Sequence, residues 1–249
     1  MKRFLFSVAA LLCATGLAAG AELNVFAAAS LADAFKELAP LFQTATGYTL
    51  RCNFGASGAL ARQIKEGAPA DVIFSADELR VEQLEKAGLL LPGTRKIILA
   101  NTLVLVVAAD GGAPVTTLAD LTRADIHRVA IGEPATVPAG TYAKEHLEKL
   151  GLWQPLLPKL VPLDTVRAVL AAVEEGNAEA GFVYQTDALI SKKVKIAVAV
   201  RRDEGPKITY PVAVLKDARS PEAARALVAF LAGPEAQKVF AKFGFLPPD

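Results

Sequence analysis

The chain has few of the residues on which metal sites and nucleic-acid surfaces depend. Its 249 residues include two cysteines and two histidines, His127 and His146, which is poor material for a metal site. Basic and acidic residues nearly balance, 27 against 26, so the chain lacks the concentrated positive charge that nucleic-acid binding needs. We therefore expect no cofactor, no direct metal ligand and no nucleic-acid partner.

The first 21 residues have the composition of a cleavable export signal. Two basic residues precede the apolar stretch 4–17, and the small residues 19–21 form a cleavage site. The apolar stretch is too short to be a good membrane span. A short, alanine-rich leader of this kind is typical of bacteria, so we expect cleavage after Ala21 and a periplasmic protein.

Removal of this leader changes the charge and leaves one cysteine. Loss of Lys2 and Arg3 takes the 27 basic residues to 25 against 26 acidic ones, a formal charge of −1. A lipid anchor at Cys13 is disfavoured because a leucine, and not a small residue, precedes it. Cys52 then has no disulfide partner, and its strand-like surroundings predict a buried, inert thiol. The remaining 228 of 249 residues suit one large domain or two small lobes.

Short runs rich in valine, isoleucine and leucine alternate with amphipathic segments along the rest of the chain. The predicted strands are 23–29, 48–53, 71–75, 97–108, 128–132, 180–184, 194–200 and 208–215. The predicted helices are 31–45, 58–66, 78–87, 140–150, 165–175, 186–191, 221–231 and 234–242. This alternation predicts an α/β fold of mostly parallel sheets flanked by helices. Ligands of such folds bind at the carboxyl ends of strands, where loops lead into helices.

Two of the predicted strands are unusual. The strand 97–108 is interrupted by Asn101 and Thr102, and the strand 208–215 contains Pro211, which a central strand disfavours. Each is a candidate crossing between two lobes. The lobes would then be 22–103 plus 210–249, and 104–209. The alternative is one continuous sheet with Pro211 on an edge strand.

Two serines lie where a strand passes into a helix. Ser30 ends the apolar run from Leu23 and takes the position of a helix N-cap, with Asp33 three residues later. Ser57 lies in the loop 55–58, whose two glycines would let a ligand approach the main chain. Helix starts present unpaired N–H groups and positive potential, which suit an anion. The alternative for each serine is an ordinary helix cap.

A serine hydrolase is a second possible interpretation, with Ser57 or Ser30 as the nucleophile. The nucleophile motif G-x-S-x-G is incomplete, because Ala59 stands where its second glycine belongs. No carboxylate is placed to orient His127 or His146 as a base. We expect His146 on the solvated face of its helix, so an esterase is disfavoured.

Two further helix starts lack a polar side chain at the key position. Ala139 follows Pro138 at the start of the helix that runs to residue 150, and only its N–H is available to a ligand. Gly140 would keep that approach open. In the segment 162–170, Asp164 is the expected N-cap, so Val166 would present a first-turn N–H.

Arg167 and Tyr184 complete the candidate set. Arg167 has two interpretations, an anion clamp or a structural ion pair, and we favour the ion pair. Tyr184 ends a strand and offers a phenolic O–H, with a buried tyrosine bonded to the main chain as its alternative. Four helix starts and one phenol at strand ends together predict a neutral anion pocket. Such a donor set favours fully ionised oxyanions over a protonated phosphate, which needs an acceptor.

The chain resembles the bacterial periplasmic molybdate-binding proteins, the substrate-binding components of ABC importers. The resemblance spans nearly the whole mature chain. It rests on FAAASL at 26–31, LARQIKEGAPAD at 60–71, SAD at 75–77, VPAGTYAKE at 137–145, KLG at 149–151, VYQTDA at 183–188, YPVAV at 210–214 and FGF at 243–245.

The resemblance implies a fold, a ligand and a site. The fold is the two-lobe periplasmic binding protein fold (type II-like), which closes on an oxyanion in the cleft between the lobes. The ligand is molybdate, with tungstate also accepted, and the partner is the membrane permease of an ABC importer. A monomer without catalytic residues is expected. The binding residues carried over are Ser30, Ser57, Ala139, Val166 and Tyr184.

Three other functions remain open at this point. A receptor for sulfate, phosphate or another oxyanion is the nearest alternative to molybdate binding. The hydrolase is the second, and a regulatory sensor domain of the same architecture is the third. The export signal and the lack of a helix-turn-helix segment argue against the sensor.

Overall fold

The computed structural model describes residues 21–248, and over them strands and helices alternate. The strands are β1 Glu22–Ala28, β2 Thr49–Gly55, β3 Val72–Phe74, β4 Lys96–Asn101, β5 Leu103–Ala108, β6 Val129–Gly132, β7 Leu160–Leu163, β8 Ala180–Tyr184, β9 Val194–Ala199 and β10 Ile208–Val214. The helices are α1 Ala32–Thr46, α2 Ser57–Lys65, α3 Glu78–Lys86, α4 Pro138–Lys149, α5 Trp153–Leu156, α6 Val166–Glu174, α7 Gln185–Leu189, α8 Pro221–Ala232 and α9 Pro234–Lys242. Residues 1–20 of the predicted 21-residue leader, with Cys13 among them, lie outside the described residues.

The strands form two five-stranded sheets. The first sheet has the order β2-β1-β3-β10-β4 and the second has the order β7-β6-β8-β5-β9. In the first sheet β1 runs parallel to β2 and β3, and β10 runs antiparallel to its two neighbours. The second sheet repeats this plan, with β6 parallel to β7 and β8 and with β5 antiparallel. The predicted α/β fold is confirmed, and each sheet is mixed because it receives one strand directly from a crossing segment.

The chain crosses between the sheets at two places. The predicted strand 97–108 is two strands in different sheets, β4 and β5, with Thr102 between them. The return lies between Ala199 and Ile208. The alternative of one continuous sheet is therefore wrong. The lobe bounds 22–103, 104–209 and 210–249 stay a prediction; below, each sheet with its helices is called the first or the second lobe.

Pro211 lies inside β10, which has a neighbour on each side, and not on an edge strand. The register of β10 against β4 shifts between Tyr210 and Pro211, so the residue without an N–H falls at a bulge. Its carbonyl still accepts from the Ser75 N–H at 2.9 Å. The bulge explains how proline is tolerated in an interior strand.

The predicted apolar faces are buried against the sheets. In α1 the side chains of Phe35, Leu38 and Phe42 are at most 2% exposed. Each such side chain contributes about 1.5–3 kcal/mol relative to exposure to water. The C-terminal segment packs onto the first sheet through Phe245, whose ring meets that of Tyr210 edge to face at 5.4 Å. This packing holds the C-terminal segment against β10.

Within residues 21–248, no helix has both the length and the apolar character needed to cross a membrane.

Candidate functional site

A small cavity lies where the carboxyl ends of strands from both sheets meet. Its lining residues are Ala28, Ala29, Ser30, Gly55, Ala56, Ser57 and Ala76 from the first lobe, and Val137, Pro138, Ala139, Val166 and Tyr184 from the second. The five residues predicted to bind the ligand are all among them. None of the lining residues has a charged side chain, so the cavity is electrically neutral.

Three helices begin at the cavity wall. Ser57 and Val166 are the first residues of α2 and α6, and Ala139 is the second residue of α4. N–H groups in a first turn have no acceptor within their own helix, and they lie at the positive end of the helix dipole. Pro138, the first residue of α4, brings no N–H of its own. These helix starts can therefore direct main-chain donors at one small anion.

The expected helix caps are wrong at all three positions where a side chain was assigned as a cap. Ser30 lies in a 3₁₀ turn, residues 29–31, that precedes α1, and its side chain caps neither element. The N-cap of α2 is Ala56, one residue before Ser57. The N-cap of α6 is Thr165, and not Asp164, because the Thr165 hydroxyl accepts from the Ala168 N–H at 3.0 Å. Neither serine hydroxyl is thus engaged by its own helix.

The two serine hydroxyls are instead bonded to distant segments. Ser57 Oγ accepts from the Ala76 N–H at 3.0 Å, and Ser30 Oγ lies 3.0 Å from the phenolic oxygen of Tyr210. Ser57 is fully buried and Ser30 is 3% exposed, so the two side chains are held in place. Each hydroxyl has one partner among the described residues, and both serines line the cavity.

Tyr184 is 1% exposed, yet its phenolic oxygen has no hydrogen-bond partner among the described residues. The alternative of a tyrosine bonded to the main chain is therefore wrong. Burial, and then the neighbouring Tyr210, raise the pKa of Tyr184 well above its ordinary value, so the phenol keeps its proton. An unpaired buried hydroxyl costs about 1–3 kcal/mol. The Tyr184 hydroxyl borders the cavity, where an anion would accept a hydrogen bond from it.

Arg167 does not line the cavity, and its interpretation as a structural ion pair is confirmed. Its Nη1 donates to Asp33 Oδ2 at 2.7 Å, and its Nη2 donates to the Ser30 carbonyl at 3.3 Å. Its Nε lies 2.7 Å from Asp187 Oδ1, without the alignment of a hydrogen bond. Burial raises the pKa of Asp187 to about 6, and the guanidinium acts in the opposite direction. Arg167 thus ties α6 of the second lobe to the start of α1 in the first.

Gly58 serves contact between the lobes, and its expected role in ligand approach stays a prediction. Its N–H donates to the Thr136 carbonyl at 2.9 Å. A β-carbon at Gly58 would lie 2.6 Å from that oxygen and 2.9 Å from the Thr136 Cα. Arg80 donates to the adjacent Ala135 carbonyl at 2.8 Å. Two residues of the first lobe therefore hold the turn that leads into α4.

Gly140 has a comparable packing role within the second lobe. A β-carbon there would lie 1.8 Å from the Gly132 carbonyl oxygen at the end of β6. The glycine lets α4 start directly against the strand, which places the Ala139 N–H at the cavity. The expected role of Gly140 in ligand approach stays a prediction beside this packing role.

The remaining candidates for chemistry lie elsewhere. His127 and His146 do not line the cavity, and His146 is 8% exposed, so the expectation of a solvated face is wrong. Burial lowers the pKa of His146. Cys52 is partly buried, and burial raises its pKa to about 11, which keeps the thiol unreactive. Within residues 21–248 no three histidine, cysteine, aspartate or glutamate residues are grouped to hold a metal ion.

Sequence reasoning missed two polar residues behind Ser30. Tyr210 contacts Ser30, and Asn101 donates to the Tyr210 oxygen at 3.2 Å. From the sequence, Asn101 is recognisable only as an interruption between strands, and Tyr210 only as part of the motif YPVAV. The sequence signal that could have identified both residues is a polar side chain within an otherwise apolar strand.

Comparison with known proteins gives consistent matches. The family model of bacterial extracellular solute-binding proteins matches residues 23–246. The chain is 38% identical over 248 residues to the molybdate-binding protein ModA of Escherichia coli (strain K12), a match that covers 97% of this chain and 96% of that one. It is 34% identical over 232 residues to the ModA protein of Haemophilus influenzae, covering 92% and 91%. Among solved structures, the periplasmic molybdate-binding protein of Azotobacter vinelandii matches with a TM-score of 0.82 at 27% identity, covering 91% of this chain and 100% of that one.

Proposed function

Because the chain belongs to the family of bacterial extracellular solute-binding proteins, we propose that it captures molybdate and delivers it to the membrane permease of an ABC importer. A member of this family is a transport component and not an enzyme. The single observation that carries the ligand assignment is the cavity lined by residues of both lobes, which has no charged side chain in its lining and includes first-turn residues of three helices.

Seven donors face or border this cavity in the proposal. They are the main-chain N–H groups of Ser30, Ser57, Ala139 and Val166, and the hydroxyls of Ser30, Ser57 and Tyr184. Hydrogen bonds to a charged group contribute about 1.5–3 kcal/mol each, and much of this offsets desolvation of the dianion. A dissociation constant of about 10⁻⁶ to 10⁻⁹ M follows, equivalent to about −8 to −12 kcal/mol. No cation is needed to reach that range.

The same donors select the protonation state of the ligand. A fully ionised tetrahedral oxyanion presents acceptors on every side, whereas hydrogen phosphate carries an O–H that needs an acceptor. No carboxylate lines the cavity to provide one. Tungstate shares the charge and the shape of molybdate, so we propose that it binds as well. Sulfate is also fully ionised, and its smaller size is what would exclude it.

A competition titration tests this assignment. We expect calorimetry to give tight binding of molybdate and of tungstate, and no comparable binding of sulfate, at micromolar protein. Tight binding of sulfate together with no heat from molybdate would contradict the ligand assignment.

Location and assembly are further parts of the proposal. We infer a monomer in the periplasm, with the leader removed after Ala21. Intact-mass measurement of the exported protein should give a chain that begins at Glu22, and light scattering should give one chain per particle. A mature chain that begins at a lipid-modified Cys13 would instead support an anchored protein.

A further inference from the structure

We propose that Asn101 and Tyr210 fix the direction of the Ser30 hydroxyl proton, so that Ser30 presents a donor and not an acceptor to the bound oxyanion. Both would be positioning residues that determine which oxyanions the cavity accepts. This inference rests on the proposed function, since it concerns the same cavity.

The Asn101 amide has one orientation that its neighbours allow. Its Oδ1 accepts from the Thr102 N–H at 2.9 Å, so the NH₂ group must point the other way. That NH₂ group donates to Thr186 Oγ1 at 3.0 Å and to the Tyr210 oxygen at 3.2 Å. Asn101 is 2% exposed, which leaves no room for water to replace these partners.

The hydrogen bond from Asn101 determines where the Tyr210 O–H points, which is toward Ser30. Its oxygen accepts from Asn101, and its own proton needs a different acceptor. Among residues 21–248, the other atom within hydrogen-bond distance is Ser30 Oγ at 3.0 Å. Tyr210 is fully buried, and its ring is held edge to face by Tyr184 and Phe245, so the phenol cannot turn toward solvent. The Tyr210 O–H therefore donates to Ser30.

Ser30 then has one free direction for its own proton. Its oxygen receives the Tyr210 proton, and no protein acceptor is bonded to its O–H within the described residues. Ser30 lines the cavity, so the proton points at the site of the anion. Ser57 Oγ likewise accepts from the Ala76 N–H, and the Tyr184 phenol has no protein partner. Ser30 is thereby set as a donor by its protein partners, whereas no contact among the described residues fixes the direction of the Tyr184 proton.

The hydrogen-bonded chain from Asn101 through Tyr210 to Ser30, here called the relay, lies next to the two crossing segments. Asn101 ends β4 immediately before the first crossing, and Tyr210 lies in β10 soon after the return. The Asn101 amide also reaches the second lobe, because it donates to Thr186, the second residue of α7. A polar chain at this point of an apolar fold costs stability unless every member is satisfied. Its use here is to set the polarity of the cavity.

Selenate and arsenate in mildly alkaline buffer are the probes that test this inference. Both are tetrahedral dianions of similar size, but arsenate keeps one proton and selenate keeps none. Their affinities are measured by competition against bound molybdate. With the native protein we expect selenate to bind at least roughly tenfold tighter than arsenate, because Ser30 offers the arsenate O–H a donor and no acceptor.

The decisive variant is Asn101→Asp. A carboxylate at this position accepts from the Tyr210 O–H, so Tyr210 accepts from Ser30 and Ser30 presents a lone pair to the ligand. The added charge weakens the binding of both dianions alike, so a change in the ratio of their affinities reports the direction of the Ser30 hydroxyl. We expect the preference for selenate to fall at least roughly tenfold or to reverse.

Two further variants keep the test conclusive. Tyr210→Phe frees one side of the Ser30 oxygen, so the preference for selenate should fall at least roughly threefold even if Asn101→Asp does not fold. Tyr48→Phe alters a partly buried tyrosine that packs against Phe42, away from the cavity, and should leave the ratio unchanged.

The outcomes separate the two proposals. Failure of the native protein to bind molybdate would contradict the proposed function. Molybdate binding by the native protein, with an unchanged selenate-to-arsenate ratio in a folded Asn101→Asp or Tyr210→Phe variant, would contradict the relay alone.

Discussion

The two sides of the cavity present different kinds of hydrogen-bond donor. The first lobe contributes Ser30 and Ser57, each with a hydroxyl and a main-chain N–H. The second lobe contributes Ala139 and Val166, whose side chains are apolar, and one phenol from Tyr184. The hydroxyl donors can be deleted by truncating a side chain. The main-chain donors, which are the larger share in the second lobe, survive every substitution except proline, so different changes are needed to test each kind.

Proline at residue 166 should produce the largest loss of affinity. Val166→Pro deletes the N–H and places the ring carbon where that donor was, whereas proline suits the first position of a helix. Thr165 is already extended, with ψ of 159°, as a residue before proline requires. We expect calorimetry to show a loss of roughly 100-fold in molybdate affinity with little change in thermal stability.

Val166→Ala is the matched control for this prediction, because it keeps the N–H and removes only methyl groups. Its affinity for molybdate should stay close to native. Equal losses in the two variants would show that the side chain, and not the main chain, makes the contact.

A methyl group at residue 58 should weaken binding by keeping the two sides of the cavity apart. The β-carbon of Gly58→Ala would overlap the Thr136 carbonyl, so the turn that carries Ala139 has to move away. We expect an affinity loss of more than roughly tenfold. Small-angle scattering with saturating molybdate should show a larger radius of gyration than the native complex, and an equally compact complex would contradict the contact.

Removal of either serine hydroxyl should cost roughly tenfold in affinity, because one oxygen of the anion loses a donor. Ser57→Ala should also lower the free energy of unfolding by about 1–3 kcal/mol, since the buried Ala76 N–H loses its acceptor. Calorimetry and chemical denaturation measure the two effects. Affinity close to native in both Ser30→Ala and Ser57→Ala would place the ligand elsewhere.

Tyr184→Phe should lower affinity but raise stability, whereas Ser57→Ala should lower both. The phenolic oxygen is buried and unpaired in the protein alone, so its removal should raise the free energy of unfolding by about 1 kcal/mol. The same change removes a donor to the anion, and we expect a loss of several-fold in affinity. A destabilised variant with full affinity would contradict the role assigned to the phenol.

The last prediction concerns stability and not affinity, and it tests Asp187, which lies beside Arg167 within the second lobe. Burial raises the pKa of Asp187 from 3.8 to about 6, so the folded protein holds a proton that the unfolded chain has lost. That stabilisation is complete below the unfolded pKa and is lost as the pH rises through about 6. The free energy of unfolding, measured relative to Asp187→Asn, should therefore fall between about pH 4 and pH 6. A difference that rises over this window would contradict the assignment.

The sequence predicted the cavity better than it predicted the local contacts around it. Alternating strands and helices indicate where strand ends meet helix starts, and this logic brought Ser30, Ser57, Ala139, Val166 and Tyr184 to one cavity. Their roles toward a ligand stay a prediction. The two-sheet architecture followed from the same pattern, because strand length and apolar content are local properties.

The errors share a physical cause, which is that a side chain's partner is set by distant segments. Ser30 was assigned to its own helix and instead meets Tyr210, 180 residues away. The contact of Gly58 with Thr136 of the other lobe likewise has no signal in the local sequence. The burial of His146 depends on which neighbour covers its helix, and periodicity along one helix does not specify that.

A crystal structure of the protein with molybdate tests the central claim most directly. We predict a tetrahedral anion in the cavity, with its oxygens within hydrogen-bond distance of main-chain N–H groups from both lobes and of the three hydroxyls. A lysine or arginine in contact with the anion, or an empty cavity after a saturating soak, would contradict the account.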